Sequence, residues 1–253
     1  MPTEATGSGP LRSVSLACNI LDVFMEDEEL GVTEIARRIG VAKSTAHRLL
    51  RTLPLRGFVE QSMPTSNYRL GVRLVELGDL SRSRMELRHR SVTLLETLRE
   101  MSGMTVNLAV PHGVDALFLE RLSTLRTLPA YSAFRRSWPL HVTSVGKVMC
   151  AFDPVLADER IEAGLGQFAA GSITSKQRFR SVLDDVRHLG HAVSIDEAMP
   201  GFASITAPVL DHAGAVHGAI SLSGAAEDLG ANHGTYVRMV ATAARKLTAS
   251  MIG

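Results

Sequence analysis

The stretch VTEIARRIGVAKSTAHRLLRTL, residues 32–53, decides how the front of this chain folds. Ile35, Ala36 and Ile39 recur at helical spacing, and Gly40 stands where a glycine closes a helix, so a short helix is predicted up to Gly40. Val41 and Ala42 make the turn. A second helix follows from about Lys43 to Leu53, with Ala46, Leu49, Leu50 and Leu53 on one face and Lys43, Ser44, Thr45, His47, Arg48 and Arg51 on the other. Two helices joined by a tight turn, the second amphipathic, form a helix-turn-helix pattern.

Physics explains why such a face suits DNA. Lys43, Ser44 and Thr45 sit at the helix N-terminus, where free backbone amides and the helix dipole favour an anion. Arg48 lies a turn further in, and an arginine can hold guanine O6 and N7 together. The same spacing also fits an amphipathic hairpin whose polar face is merely solvated. Charge order favours the DNA face. Asp22, Glu26, Asp27, Glu28, Glu29 and Glu34 come first, with no lysine or arginine among them. From Arg37 to Arg73 the bases Arg37, Arg38, Lys43, Arg48, Arg51, Arg56, Arg69 and Arg73 meet a single acid, Glu60. A local basic surface of this kind is what phosphate binding requires.

Around this pair, residues 11–24 predict a third helix with Leu16, Ile20, Leu21 and Phe24 as its stripe. After Leu53, Pro54 and Gly57 break the helix; Phe58 to Gln61 and Tyr68 to Leu70 alternate like strands about a turn at 64–67. That is a winged helix. Asn67 and Arg69, with Thr65 and Ser66, are placed to touch the DNA backbone or minor groove, although a wing can equally be structural closure.

With 253 residues and 45% hydrophobic content, the chain can bury two modest cores. No run approaches the roughly 18 apolar residues of a membrane helix, and Met1 to Pro10 reads as a polar disordered tail rather than a signal peptide, so a cytoplasmic protein is expected. Cys18 and Cys150 are expected to be reduced packing residues. No metal site is expected: the one close pair, His188 and His191, reads as solvated.

Taken together, VTEIARRIG at 32–40, KSTAHRLL at 43–50, GFVE at 57–60 and YRLG at 68–71 resemble the DNA-binding domain of IclR-family transcriptional regulators. The resemblance continues through PLHVTSVGK at 139–147, residues 190–197, Ala207-Pro-Val and ISLSG at 220–224, which are similar to that family's effector domain in order and spacing. It implies an α+β chain: a winged helix-turn-helix domain over 11–71, a linker helix over 72–85 with dimer contacts, and a GAF-like effector-binding domain over 86–253. Periodicity predicts helix almost unbroken over 71–102. Beyond Thr105 it predicts short strands at 106–110, 116–121, 128–132, 192–195, 204–210 and 216–223. Helices are predicted at 145–152, 157–164, 176–189 and 227–251.

Carried over residue by residue, the resemblance implies an effector pocket walled by Ala130, Trp138, Ser144, Val145, Ser194, Ser204, Ser221 and Ser223. Many members have an acid where Ser194 stands and a cysteine where Ser204 stands. Independently, Thr143 or Ser144 can cap the helix that starts near Val145, which would leave the amides of Val145, Gly146 and Lys147 for a carboxylate; an ordinary N-cap is the other reading. Asp196 and Glu197 lie nearby, or on the surface. The expected partners are an approximately palindromic duplex operator, a small-molecule effector such as a carboxylic acid, and further copies of the chain as homodimer or tetramer. No cofactor and no catalytic residue is expected. Gly146-Lys147 is not a phosphate-binding loop, because His141 takes the earlier glycine position and Val148 the Ser/Thr position, and Ala219 removes the first glycine of a nucleophile elbow at Ser221. The rivals are a small-molecule enzyme fused to a winged helix and a winged-helix module used for protein contacts.

Overall fold

The computed structural model describes residues 11–124 and 135–252, and the chain divides into two compact units between Arg82 and Ser83. The strand expected at 128–132 and the tail at 1–10 lie outside the described residues.

In the first unit, α1 (Arg12–Asp22) runs into a 3-10 turn, and α2 (Val32–Arg38) and α3 (Lys43–Thr52) follow. Gly40, at φ +67°, closes α2: its amide donates to Arg37 O and that of Val41 to Ala36 O. This is the Schellman arrangement, in which a glycine adopts the left-handed conformation without a side-chain clash. Strands β1 (Val59–Gln61) and β2 (Tyr68–Leu70) pair antiparallel, Glu60 opposite Arg69, and Leu30 bridges to Tyr68. Ile20, Phe24, Leu30, Ile35, Leu50, Val59 and Tyr68 form the core, so all the predicted elements of the winged helix meet around it. Cys18 is exposed, contrary to its expected packing role; Cys150 is buried, and burial pushes its thiol up to about 12.

The helical stretch expected over 71–102, a linker helix followed by the first helix of the next domain, is α4 (Arg73–Ser83) and α5 (Glu86–Ser102), parted where Met85 takes an extended conformation at the N-cap of the second. No residue of α4 is buried.

The second unit is built on one antiparallel sheet of six strands: β3 (Thr105–His112), β4 (Asp115–Leu122), β5 (Ser137–Pro139), β6 (Ala192–Ile195), β7 (Phe202–Leu210) and β8 (Val216–Ala225), in the order β5-β4-β3-β8-β7-β6. The short strand β5 was not foreseen. It carries Pro139 at the sheet edge, where proline costs the ladder no hydrogen bond. Helices α6 (Ser144–Phe152), α7 (Pro154–Glu162) and α8 (Lys176–Leu189) pack into the core on one side of the sheet. α7 starts before its predicted Ala157 because Asp153 accepts from the amides of Val155 and Leu156, and Pro154 occupies the first turn. On the other side lie α5, the short α9 (Ala226–Ala231) and α10 (His233–Ile252), which Asn232 separates from one another where one helix was expected.

The two faces differ in kind. Val106, Leu108, Ile205, Ile220 and Leu222 share an apolar core with Leu95, Leu98, Val240, Ala244 and Leu247. The alternate residues of the same strands point to the α6 side and are in large part polar. This is the α+β, GAF-like architecture that was expected.

Candidate nucleic-acid interface and effector cavity

On α3, Ala46 and Leu50 are buried and Lys43, Ser44, His47, Arg48 and Arg51 are exposed, with Thr45 half-buried. No side chain caps this helix. Thr45 N and Ala46 N both donate to Ala42 O, and the amides of Lys43 and Ser44 meet no acceptor among the described residues. A helix start with unsatisfied donors and three exposed cations on the following turns is a site for phosphate or base edges.

Folding redistributes the charge that the linear order suggested. Arg37 and Arg38 both bind Glu34, Arg38 also reaches Asp27 at 2.5 Å, Arg69 binds Glu60 at 2.6 Å and Arg73 binds Glu76 at 2.6 Å. Hydrogen bonds from Arg37 and then Arg38 hold the Glu34 carboxyl down to about 2. Half of the basic residues counted from sequence are therefore paired, and among the described residues Lys43, Arg48, Arg51 and Arg56 form no ion pair. Three of these four lie on α3. The wing residues fare differently from α3: Arg69 is held across the hairpin by Glu60, and Asn67 is half-buried beside Gly31. Thr65 donates to Glu29, tying the wing turn to the acidic stretch.

In the second unit, the polar residues on the α6 side of the sheet fall into two cross-strand rows. In one, Arg121, Asn107, Ser221 and Thr206 are successive register partners on β4, β3, β8 and β7. In the other, Thr105, Ser223, Ser204 and Ser194 follow across β3, β8, β7 and β6. Apart from Arg121, all are buried. Ser144 at the start of α6 descends on them, its Oγ 2.6 Å from both Ser204 Oγ and Thr206 Oγ1. Between helix start and sheet lies a cavity of about 20 Å³, room for about one water molecule. A ligand of several heavy atoms must therefore part its walls.

Six expected pocket residues come together here: Ser144, Val145, Ser194, Ser204, Ser221 and Ser223 all line the cavity. Ala130 lies outside the described residues. Trp138 does not line the cavity. It is buried in edge strand β5 opposite Ala116, against Phe168 with ring centroids 5.9 Å apart. The expected set of free amides also contracts. Thr143, not Ser144, is the cap: its Oγ1 accepts from Gly146 N at 3.0 Å and its carbonyl from Lys147 N, which leaves only the amides of Ser144 and Val145. Gly146 is needed for close approach, since a Cβ there would sit 2.1 Å from Leu140 O.

Asn107, Phe118, Thr143, Val142, Ala198 and Phe202 complete the wall. Asn107 had a signal in the sequence, as the one polar residue in the apolar run from Val106 to Val110. Behind the wall, Lys147 is 2% exposed, and its Nζ donates to Val193 O and to Glu197 Oε1, each at 2.5 Å. Glu197 is thus not a surface carboxylate. Burial pushes Lys147 down and Glu197 up, and the attraction between them opposes both shifts. Among the described residues, no cluster of three or more His, Cys, Asp or Glu could hold a metal ion.

Comparison with known proteins places both units. Residues 13–62 match the family model for the IclR helix-turn-helix domain, and residues 80–249 that for the bacterial transcriptional regulator IclR C-terminal domain. The glycerol operon regulatory protein of Streptomyces coelicolor is 36% identical over 220 residues, covering 87% of each chain. A solved IclR transcriptional regulator from Alicyclobacillus acidocaldarius superposes with a TM-score of 0.81 at 24% identity, over 95% of this chain and 99% of that one. An IclR homolog from Microbacterium hydrocarbonoxydans, solved in complex with 4-hydroxybenzoate, gives a TM-score of 0.79 at 24% identity, over 94% and 98%. None of these relatives supports an enzyme.

Proposed function

This chain belongs to the IclR family of transcriptional regulators, and on that premise we propose how it divides the work. Residues 11–71 bind an approximately palindromic operator as a homodimer or a dimer of dimers, residues 72–85 link, and residues 86–253 bind a small effector in the cytoplasm. Lys43, Ser44, Thr45, His47, Arg48 and Arg51 enter the major groove, and Asn67 and Arg69 touch the backbone or minor groove. Two-fold symmetry of the protein then requires matching half-sites. The observation that carries this reading is the concentration of unpaired cations on the exposed face of α3. The apolar residues Val75, Leu77 and Leu80, exposed on a helix with no buried residue, support a surface that a second copy covers.

The effector reading rests on the polar cavity beneath α6, and the 4-hydroxybenzoate held by the Microbacterium relative supports a small carboxylic acid as the ligand class. An effector changes operator affinity only through differential binding to two arrangements of the DNA-binding domains.

The test is duplex binding over a range of salt, with operator and random sequence, for the wild type and for Lys43→Ala and Arg51→Ala. If these side chains meet phosphates, each substitution lowers the salt slope by about 1 on both duplexes. An unchanged slope removes α3 from the interface.

A further inference from the structure

We propose that Arg121, acting through Asn107, is the positioning pair that makes the cavity select an anionic acceptor, although among the described residues no charged side chain lines it. The inference rests on the cavity being the effector site, and adds to that reading the source of its charge preference.

The argument begins with what an arginine can do. A guanidinium only donates, so the Asn107 atom that faces Arg121 Nε at 3.1 Å must be the carbonyl Oδ1. This fixes the amide. Asn107 Nδ2 then faces the other way and donates to Ser221 Oγ at 3.1 Å and to Ser223 Oγ at 2.8 Å. Neither serine can donate its O–H back to that amide nitrogen, so each hydroxyl hydrogen is directed elsewhere. Ser221 and Ser223 both line the cavity.

A chain of hydrogen bonds that starts on a cation polarises each successive donor in the same sense. Arg121 thus presents positive potential at the serine hydroxyls, two side chains away from its own charge. Burial strengthens the effect, because Asn107, Ser221 and Ser223 are all 2% exposed or less. Arg121 is itself fixed, its guanidinium 5.1 Å from the centroid of the Phe118 ring, another wall residue. A bulge in β4 opposite Leu108 and Ala109 puts Phe118 and Arg121 on one face although three positions separate them. From the other side the Ser144 and Val145 amides converge. By contrast the buried cation Lys147 is matched by Glu197 and adds little net charge.

The experiment pairs each of a set of aliphatic and aromatic monocarboxylates with its primary amide, such as lactate with lactamide and benzoate with benzamide. Affinities are measured by calorimetry on the full-length protein. The wild type should prefer the carboxylate of a binding pair by about tenfold or more. Arg121→Gln should remove most of that preference by weakening the carboxylate while leaving the amide in place, and Arg121→Lys should restore part of it. Asn107→Asp, which accepts where Asn107 donates, should abolish carboxylate binding. A merely structural role for Arg121 would weaken acid and amide alike, and that result overturns the proposal. So does a preference that survives Arg121→Gln. If neither member of any pair binds the folded wild type, the effector reading of the cavity fails and the inference fails with it; binding without charge preference sinks the relay alone.

Discussion

Replacing Lys147 with methionine tests whether the walls of the cavity are held by a buried ion pair. The substitution keeps the aliphatic stem of a side chain that is 2% exposed and removes the ammonium, so Glu197 is left buried without its counter-ion and Val193 O without its donor. Breaking a buried pair from one side typically costs about 3 to 5 kcal/mol, because the remaining charge has neither water nor partner. In a unit of this size each kcal/mol shifts the melting temperature by roughly 2 to 4 °C, so the single variant should melt roughly 6 to 20 °C below wild type. Pairing it with Glu197→Leu removes the stranded charge, and the double variant should recover most of the loss. Acidification supplies an independent check. Glu197 is already pushed above its ordinary 4.5 by burial, and without Lys147 the largest opposing attraction is gone, leaving only the hydrogen bonds from Ser194 and the Ile195 backbone against that rise. For an acid whose folded value is raised, the penalty is absent below the unfolded value and grows as pH rises through the folded one. The deficit of Lys147→Met should therefore shrink as pH falls toward 4.5. A single variant that melts within about 2 °C of wild type refutes the reasoning. So does a double variant as unstable as the sum of its parts.

Three further outcomes are expected. Arg48→Ala should cost about 1 to 3 kcal/mol on the specific operator and relax one base position, measured by competition against single-position operator variants, with ligand affinity unchanged; equal losses on random duplex would make Arg48 a phosphate contact. Ser204→Phe fills the space beside Ser144 and should abolish the effector's influence on operator binding while leaving binding itself intact; an unchanged response removes Ser204 from the pocket. The Glu34 carboxyl should titrate near 2 by NMR. Its contribution to stability is present above its ordinary 4.5 and lost as pH falls through about 2, so the difference between wild type and Glu34→Gln should vanish over that interval. The same variant frees Arg37, while Arg38 keeps Asp27, and should steepen the salt dependence of non-specific DNA binding.

The winged helix was legible because its signals are local. Gly40, the apolar spacing of α2 and α3 and the breaks at Pro54 and Gly57 each act within a few residues of where they stand. Charge was less legible. Glu34 and Asp27 precede the basic stretch in the chain but fold back on Arg37 and Arg38, so the count along the sequence overstated the basic surface while understating how far it concentrates on α3. In the effector unit, six wall residues were reached through resemblance, not through spacing. Asn107 and Arg121 escaped because their meaning depends on strand register. Lys147 was considered for its amide and as the lysine of a phosphate-binding loop, not as the buried ion-pair partner its side chain proved to be. Trp138 was expected at the cavity through the resemblance, and strand β5 places it against Phe168 instead.

The polarity of the cavity has a physical precondition that explains why the fold tolerates it. A sheet has two faces, and alternate residues of β3, β7 and β8 serve them separately. Val106, Leu108, Ile205, Ile220 and Leu222 pack with α5 and α10 in one apolar core, and Ala109, Ala116, Phe118 and Ala219 pack in the other. Their neighbours Asn107, Thr206, Ser221 and Ser223 are thereby released from packing duty and can be buried as a hydrogen-bonded polar layer. Such a layer is stable only while each member keeps a partner. A ligand that enters must replace the bonds it breaks, which makes the site demanding about chemistry as well as shape. The same requirement couples binding to movement: with room for about one water molecule between the start of α6 and the sheet, a larger ligand has to widen the gap, and the bonds from Ser144 to Ser204 and Thr206 are among those that span it. Separating the start of α6 from the sheet would make that room. The work of that displacement must be returned by the ligand's own hydrogen bonds, and a molecule unable to satisfy the serines and the freed amides will not open the site.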